Sequence, residues 1–328
     1  MIKWGILGLG NMANHFATAI KKIDNAKLVS IASKSKIKLS KFSKNYNIPK
    51  DFIFNNYKEL IESKSIDSIY ISTLNNTHNN LILECIKNNK NILCEKPMGL
   101  NSEEASAVYE KLKQSDVLFN EGIAYRSHPQ TIELLKLIQE KEIGKIKRIE
   151  SSFGFRVRKI NKKSRLFNPK LGGGAILDLG CYPISFFQLF LKENEKLKLI
   201  NAEGSFAITG VDDYAKINFV SEQNIKLNAK ISLKENLENN CKIYGTNGII
   251  IVPSPWLPSK KSYLEVIKDN SYYKKFINTN KNVYTNQIEN VSNKFKRVEN
   301  KNNKLLVNIN DSVDIMKTLG LWREKISK

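Results

Sequence analysis

The sequence predicts an α/β fold: an N-terminal doubly wound parallel sheet of Rossmann type, then an α+β domain with an open, mostly antiparallel sheet. Three observations predict it. A glycine-rich turn joins the first strand to the first helix, strands and helices alternate through residue 121, and period-two alternation takes over afterwards.

Ile2 to Leu7 is a short apolar run, followed by Gly8-Leu9-Gly10-Asn11-Met12-Ala13 and then by a helical pattern from His15. This is G-x-G-x-x-A between strand and helix. The first glycine permits the tight turn, the second lets backbone approach a pyrophosphate, and the small Ala13 lets helix and sheet pack closely. The helix N-terminus then offers unpaired N–H groups and a partial positive charge to the phosphates. Gly8, Gly10, Asn11, Met12 and Ala13 are therefore candidate dinucleotide contacts. Further strands are predicted at Leu28 to Ala32, Ile66 to Ser72, Ile92 to Cys94 and Val117 to Phe119, with helices over Lys36 to Tyr46, Leu81 to Asn88 and Ser102 to Gln114 between them. Such βαβ units place a ligand at the carboxyl ends of the strands. The second strand ends in Ala32-Ser33-Lys34-Ser35, without the Asp or Glu that an NAD site presents to the ribose. Ser33 and Lys34 suit a 2′-phosphate instead, so NADP is the expected cofactor, with NAD as the alternative.

After the third strand comes Ser72-Thr73-Leu74-Asn75-Asn76-Thr77-His78, and after the fourth Cys94-Glu95-Lys96-Pro97. A third motif runs from Gly172-Gly173-Gly174 through Asp178-Leu179-Gly180-Cys181-Tyr182-Pro183, and Gly210-Val211-Asp212-Asp213 follows. Together these resemble the Gfo/Idh/MocA oxidoreductase family, in the branch containing dimeric dihydrodiol dehydrogenase, NADP-dependent D-xylose dehydrogenase and glucose-fructose oxidoreductase. The resemblance implies that Thr73, Leu74, Asn75, His78, Glu95 and Lys96 line the cofactor site. It also implies that Lys96 and Tyr182 are catalytic, that the second domain binds substrate on one side of its sheet, and that the protein is a homodimer or higher homo-oligomer.

Residue chemistry agrees with those roles. A Lys at the end of a parallel strand can hold a substrate hydroxyl, and its charge favours a neighbouring phenolate. Asp178 and Tyr182, spaced i, i+4, share one face if Leu177 to Leu191 is an α-helix. Tyr182 could then exchange a proton with substrate while Asp178 orients it. Arg126 could orient a polyhydroxylated or anionic substrate, or make an ion pair between domains. Neither the three His nor the four Cys have the spacing of a metal site.

In the second half, alternation marks strands at Ile146 to Phe155, Leu199 to Ala207, Tyr214 to Val220, Ile225 to Leu233, Cys241 to Tyr244 and Ile249 to Val252. Lys268 to Asn310 reads as surface apart from a helix around Asn286 to Val298. Asp311 to Ile326 is a closing amphipathic helix, with Val313, Met316, Leu319 and Trp322 inward. The expected domains are 1–121 for the dinucleotide and 122–328 for substrate and dimerisation, with the closing helix packing back on the first.

Of 328 residues, 53 are Lys or Arg and 32 Asp or Glu, a net charge of +21. Only seven are Arg, and Lys is scattered beside abundant Asn and Ile. That pattern fits compositional drift better than a nucleic-acid surface, which would use Arg. No apolar run approaches a membrane span and the N-terminus enters a strand directly, so a cytoplasmic protein with reduced thiols is expected, without a nucleic-acid or membrane partner. The function expected is hydride transfer between nicotinamide and the hydroxyl or carbonyl carbon of a sugar or sugar-like diol. Alternatives are an oxidoreductase for a nucleotide-linked or phosphorylated sugar, and a cofactor-sensing regulator without activity.

Overall fold

A computed structural model describes residues 1–192, 195–269, 271–298 and 305–327. The chain divides into two compact units: Met1–Ala124 with Tyr284–Val313, and Tyr125–Val283 with Asp314–Lys328. The chain therefore returns to the first unit through residues 284–313, where the expected return was that of the closing helix alone.

The first unit holds β1 (Ile2–Leu7), β2 (Ala26–Ala32), β3 (Ile53–Phe54), β4 (Ser68–Ile71), β5 (Asn91–Cys94) and β6 (Phe119–Glu121). All pair in parallel, in the order β3-β2-β1-β4-β5-β6, the doubly wound arrangement that the βαβ alternation predicts. The two-residue β3 and the short α3 (Tyr57–Glu62) lie below the length at which periodicity is readable. Helices α1 (Asn11–Ile20), α2 (Lys36–Tyr46), α4 (His78–Lys87) and α5 (Ser102–Lys113) complete the repeat. The return has an apolar cause. On α8 (Val283–Phe295), Ile288, Val291 and Phe295 fall on one helical face and enter the core that contains Trp4, Phe16 and Tyr70. The indole of Trp4 donates to Ser292 Oγ at 3.1 Å and its ring lies 5.6 Å from that of Phe295.

The second unit is built on eight strands: β7 (Ile146–Gly154), β8 (Leu197–Phe206), β9 (Asp212–Ser221), β10 (Lys226–Ser232), β11 (Asn240–Gly245), β12 (Gly248–Pro253), β13 (Lys261–Lys268) and β14 (Ser271–Asn278). Their order is β14-β13-β12-β11-β7-β10-β9-β8, antiparallel except for the central β7 and β10. Helix α6 (Pro129–Gln139) packs on β13 and β14, and α7 (Cys181–Gln188) on β7 and β10. Alternation is strict where a helix covers the sheet: Ala215, Ile217 and Phe219 of β9 and Leu227, Ala229 and Ile231 of β10 are buried.

The expectation that the stretch after Lys268 is mostly surface is corrected, because Ser271–Asn278 is the edge strand. Only Ile277 is buried there, while Tyr272 and Phe276 face outward among lysines, so no apolar face shows in the sequence. The closing helix α9 (Ile309–Ile326) lies with the first unit only to Val313. Beyond it Leu319 and Trp322 pack against Gly180 within the second unit, as their apolar spacing requires.

Candidate active site

In the first unit the carboxyl ends of β2, β1, β4, β5 and β6 form a row that collects most of the residues singled out from the sequence. Gly8 follows β1 at φ +85°; a Cβ there would lie 2.8 Å from Thr73 Cγ2 and 3.0 Å from Ser72 O, so glycine is required on both counts. Ser72 donates to the Gly8 carbonyl at 2.8 Å, tying the turn across the point where strand order reverses. At Gly10 the space a Cβ would occupy is open to 4 Å. The start of α1 has no side-chain cap and no acidic residue in its first turn. Asn11 is exposed, Met12 half-buried, and Ala13 packed into the core. An open glycine before an uncapped helix N-terminus is a cradle that a pyrophosphate fits.

At the end of β2, Ser33 is buried and accepts from the Ser35 N–H at 3.2 Å, whereas Lys34 is exposed with its ammonium 5.8 Å from the centre of the Tyr57 ring. Thr73 receives the Thr77 hydroxyl at 2.7 Å, Leu74 is exposed and Asn75 buried. After β5, Tyr70 donates its phenol to the Glu95 carboxylate, and Lys96 is half-buried ahead of a cis peptide to Pro97.

His78, expected at the cofactor site, is fully buried. Its Nδ1 donates to the Pro97 carbonyl at 2.8 Å, and burial lowers its pKa, so a neutral imidazole anchors the loop after Lys96. Glu121, at the end of β6, holds the same loop from the other side by accepting the Met98 N–H at 3.0 Å. Burial pushes its carboxyl up to about 7, against the opposing pull of that N–H and of Lys96.

In the second unit, Ile176–Gly180 is a turn of π-helix and only Cys181–Gln188 is α-helical. The expected α-helix from Leu177 is corrected accordingly. Pro183 has no N–H to bond the Leu179 carbonyl and crowds it, and i→i+5 bonding widens the turn before it. Asp178 and Tyr182, four residues apart, therefore fall short of one full turn. The Asp178 carboxylate is buried and pairs with Arg165 Nη1 at 2.6 Å. Tyr182 is half-buried, its ring edge-on to Phe153 at 5.1 Å and 5.9 Å from Trp256. Asp212 is buried under the start of this turn and accepts the Ile176 N–H at 2.6 Å. Gly174 sits on it at φ +120°, and a Cβ there would collide with the carboxylate.

Arg126, expected to orient substrate or to make an ion pair, lies against α7. It is buried and donates to Ser185 Oγ at 3.3 Å and Gln188 Oε1 at 3.4 Å, so its guanidinium braces α7. His128 caps α6 by accepting the Gln130 N–H. Among the described residues no cluster of His, Cys, Asp and Glu could hold a metal, and no helix is long and apolar enough to cross a membrane. Sequence reasoning missed Ser72, Glu121, Arg165 and the role of Asp212. Ser72 and Asp212 stood in motifs that were noticed, without a function of their own.

The first unit thus has the architecture of a dinucleotide-dependent dehydrogenase domain. Residues 2–123 match the oxidoreductase family with the NAD-binding Rossmann fold, and residues 131–251 the GFO/IDH/MocA C-terminal domain. The chain belongs to the Gfo/Idh/MocA oxidoreductase family. The trans-1,2-dihydrobenzene-1,2-diol dehydrogenase of Xenopus tropicalis is 33% identical over 262 residues, 78% of this chain and 77% of that one. The enzyme of the same name from Danio rerio is 29% identical over 79% and 76%. Two solved structures share the fold at TM-score 0.88, each covering 99% of this chain and 97% of its own. One is a 3-ketoreductase from Actinomadura kijaniata in complex with NADP and TDP-benzene, at 18% identity; the other is an aldose-aldose oxidoreductase from Caulobacter crescentus complexed with glycerol, at 19%.

Two stability predictions rest on this geometry. Gly174→Ala adds both strain and a collision with a buried carboxylate, and is expected to cost on the order of 2 kcal/mol or more, read as a lower unfolding midpoint in urea. Glu121 binds its proton more tightly folded than unfolded, so its stabilisation is full below pH 4.5 and is lost as pH rises through about 7. Glu121→Gln keeps the acceptor for Met98. Between pH 5 and 8 the wild type should therefore lose about 2.5 kcal/mol relative to the variant, at 1.36 kcal/mol per pKa unit. Parallel curves of stability against pH would refute the assignment.

Proposed function

We propose that the protein is an NADP(H)-preferring dehydrogenase or reductase acting on a CH–OH group of a sugar or sugar-like diol. The observation that carries the reading is the row of strand ends from Lys34 at β2 to Lys96 at β5. It spans three strand spacings, about 14 Å, with the open Gly10 cradle between its ends. Ser33 and Lys34 would meet a 2′-phosphate, Gly8 to Ala13 the pyrophosphate, and Thr73 to Asn75 with Glu95 and Lys96 the nicotinamide end. Likeness to the dihydrodiol dehydrogenases over most of the chain supports the substrate class.

When bound, the nicotinamide supplies the hydride acceptor or donor. Lys96 holds the substrate oxygen through its ammonium, and Tyr182 gives or takes the proton of that oxygen. Asp178, already paired with Arg165, is assigned to positioning. Buried free thiols at Cys85, Cys94, Cys181 and Cys241 suit a reducing cytoplasm. A homodimer or higher homo-oligomer is part of the same reading.

Tyr182→Phe should lower kcat by a factor of about 10² to 10⁴ while NADP affinity is retained; an unchanged kcat removes Tyr182 from the chemistry. Lys34→Ala should reduce the preference for NADP over NAD by about tenfold, the worth of one charge-assisted hydrogen bond. A wild-type kcat/KM that favours NAD would overturn the cofactor assignment.

A further inference from the structure

From Ser151 through Leu177 the chain carries no Asp or Glu but seven cations. Three of them, Arg156, Arg158 and Arg165, belong to the seven Arg of the whole chain. In a protein whose charge is otherwise carried by Lys, this is where the planar guanidinium fork, suited to bidentate phosphate contacts, is concentrated.

The segment is built onto the Asp178 turn. At its start, the Phe155 and Val157 N–H groups bond the carbonyls of Ser232 and Leu233 at 3.0 and 2.8 Å. At its end, Phe167 is buried, and Gly174 N–H bonds the Leu166 carbonyl at 2.9 Å. A Cβ at Gly173 would lie 2.8 Å from that carbonyl, so the loop lies directly against the glycine run. Arg165 closes the arrangement through its ion pair with Asp178. Among the described residues the other six cations make no ion pair, and all six are exposed. Exposed cations this close in sequence, with no acidic residue among them, give the loop a local positive potential that attracts an anion.

Building on the reading of Asp178 and Tyr182 as site residues, we propose that the loop of residues 155–171 binds the phosphate oxygens of a phosphoester-bearing sugar substrate. The shared chemistry admits a sugar monophosphate or a sugar linked to a nucleoside diphosphate.

The test uses full-length protein saturated with NADP, so that the cofactor cradle cannot take the probe. Inorganic pyrophosphate is titrated calorimetrically into the wild type and into Arg156→Gln/Arg158→Gln/Lys162→Gln/Lys163→Gln, whose four positions are exposed. Affinity at least about tenfold weaker in the variant is expected, together with weakening of wild-type binding as salt rises. Equal affinity in the two proteins, or no binding to the wild type, overturns the proposal. In parallel, kcat/KM is measured for one sugar in free, monophosphate and nucleotide-linked forms. A preference of tenfold or more for one phosphorylated form in the wild type, reduced in the variant, supports the proposal and identifies the source of the phosphate. Turnover of the free sugar at least as fast as either other form leaves the oxidoreductase reading standing and overturns this one. Loop-dependent pyrophosphate binding without turnover of any sugar counts against the site reading and, with it, against the substrate claim.

Discussion

A buried carboxylate accepting a single backbone N–H is the contact on which the chemistry-bearing turn of each unit depends. Glu121 takes the Met98 N–H just beyond Lys96, and Asp212 takes the Ile176 N–H just before Asp178. Both groups are desolvated, which raises their pKa, and both are held in place by the same geometry that buries them. An N–H bond to a buried acceptor resists loss because the unpaired group would then be left without water. Each turn is fixed in register while Lys96 and Tyr182, close to the two anchors in sequence, stay half-buried. Gly174 shows how closely this is built, since the turn lies directly on the Asp212 carboxylate.

The first unit's cofactor cradle follows from parallel pairing. β1 lies between β2 and β4, so the chain leaves it in one direction and returns in the other, opening a crevice at the strand ends. Ser72 closes the floor of that crevice with a bond to Gly8, and the absence of any cap on α1 leaves its first N–H groups to a ligand. In the second unit the same economy appears differently. A proline in α7 is accommodated by a π turn, and the displaced Asp178 is met by Arg165 from the preceding loop.

The chain's large positive charge divides into two kinds. Most of it is Lys distributed over strands and helices, often paired locally, as in Lys58 with Glu62 or Lys216 with Glu203. Such exposed pairs contribute little to stability. The loop between β7 and the glycine run is different, because it has no acidic residue and retains Arg.

Local rules were enough for the parallel sheet, the G-x-G-x-x-A turn, the strand-end placement of Lys34 and Lys96, and the apolar face of α9. Each depends on periodicity or on a residue within a few positions of its neighbours. Edge strand β14 was illegible because only Ile277 of its eight residues is buried, which leaves no alternation to read, and the return of α8 to the first core because nothing local says which core an amphipathic helix joins. The burial of His78 and Arg126 and the pairings of Glu121, Arg165 and Asp212 were decided only in three dimensions. Asp212 and Ile176 stand 36 residues apart. The sequence by itself determined which chemical groups stand at the strand ends. Tertiary structure decided which of them reach solvent and which are spent holding the others, because burial and hydrogen bonding between distant segments have no local signature.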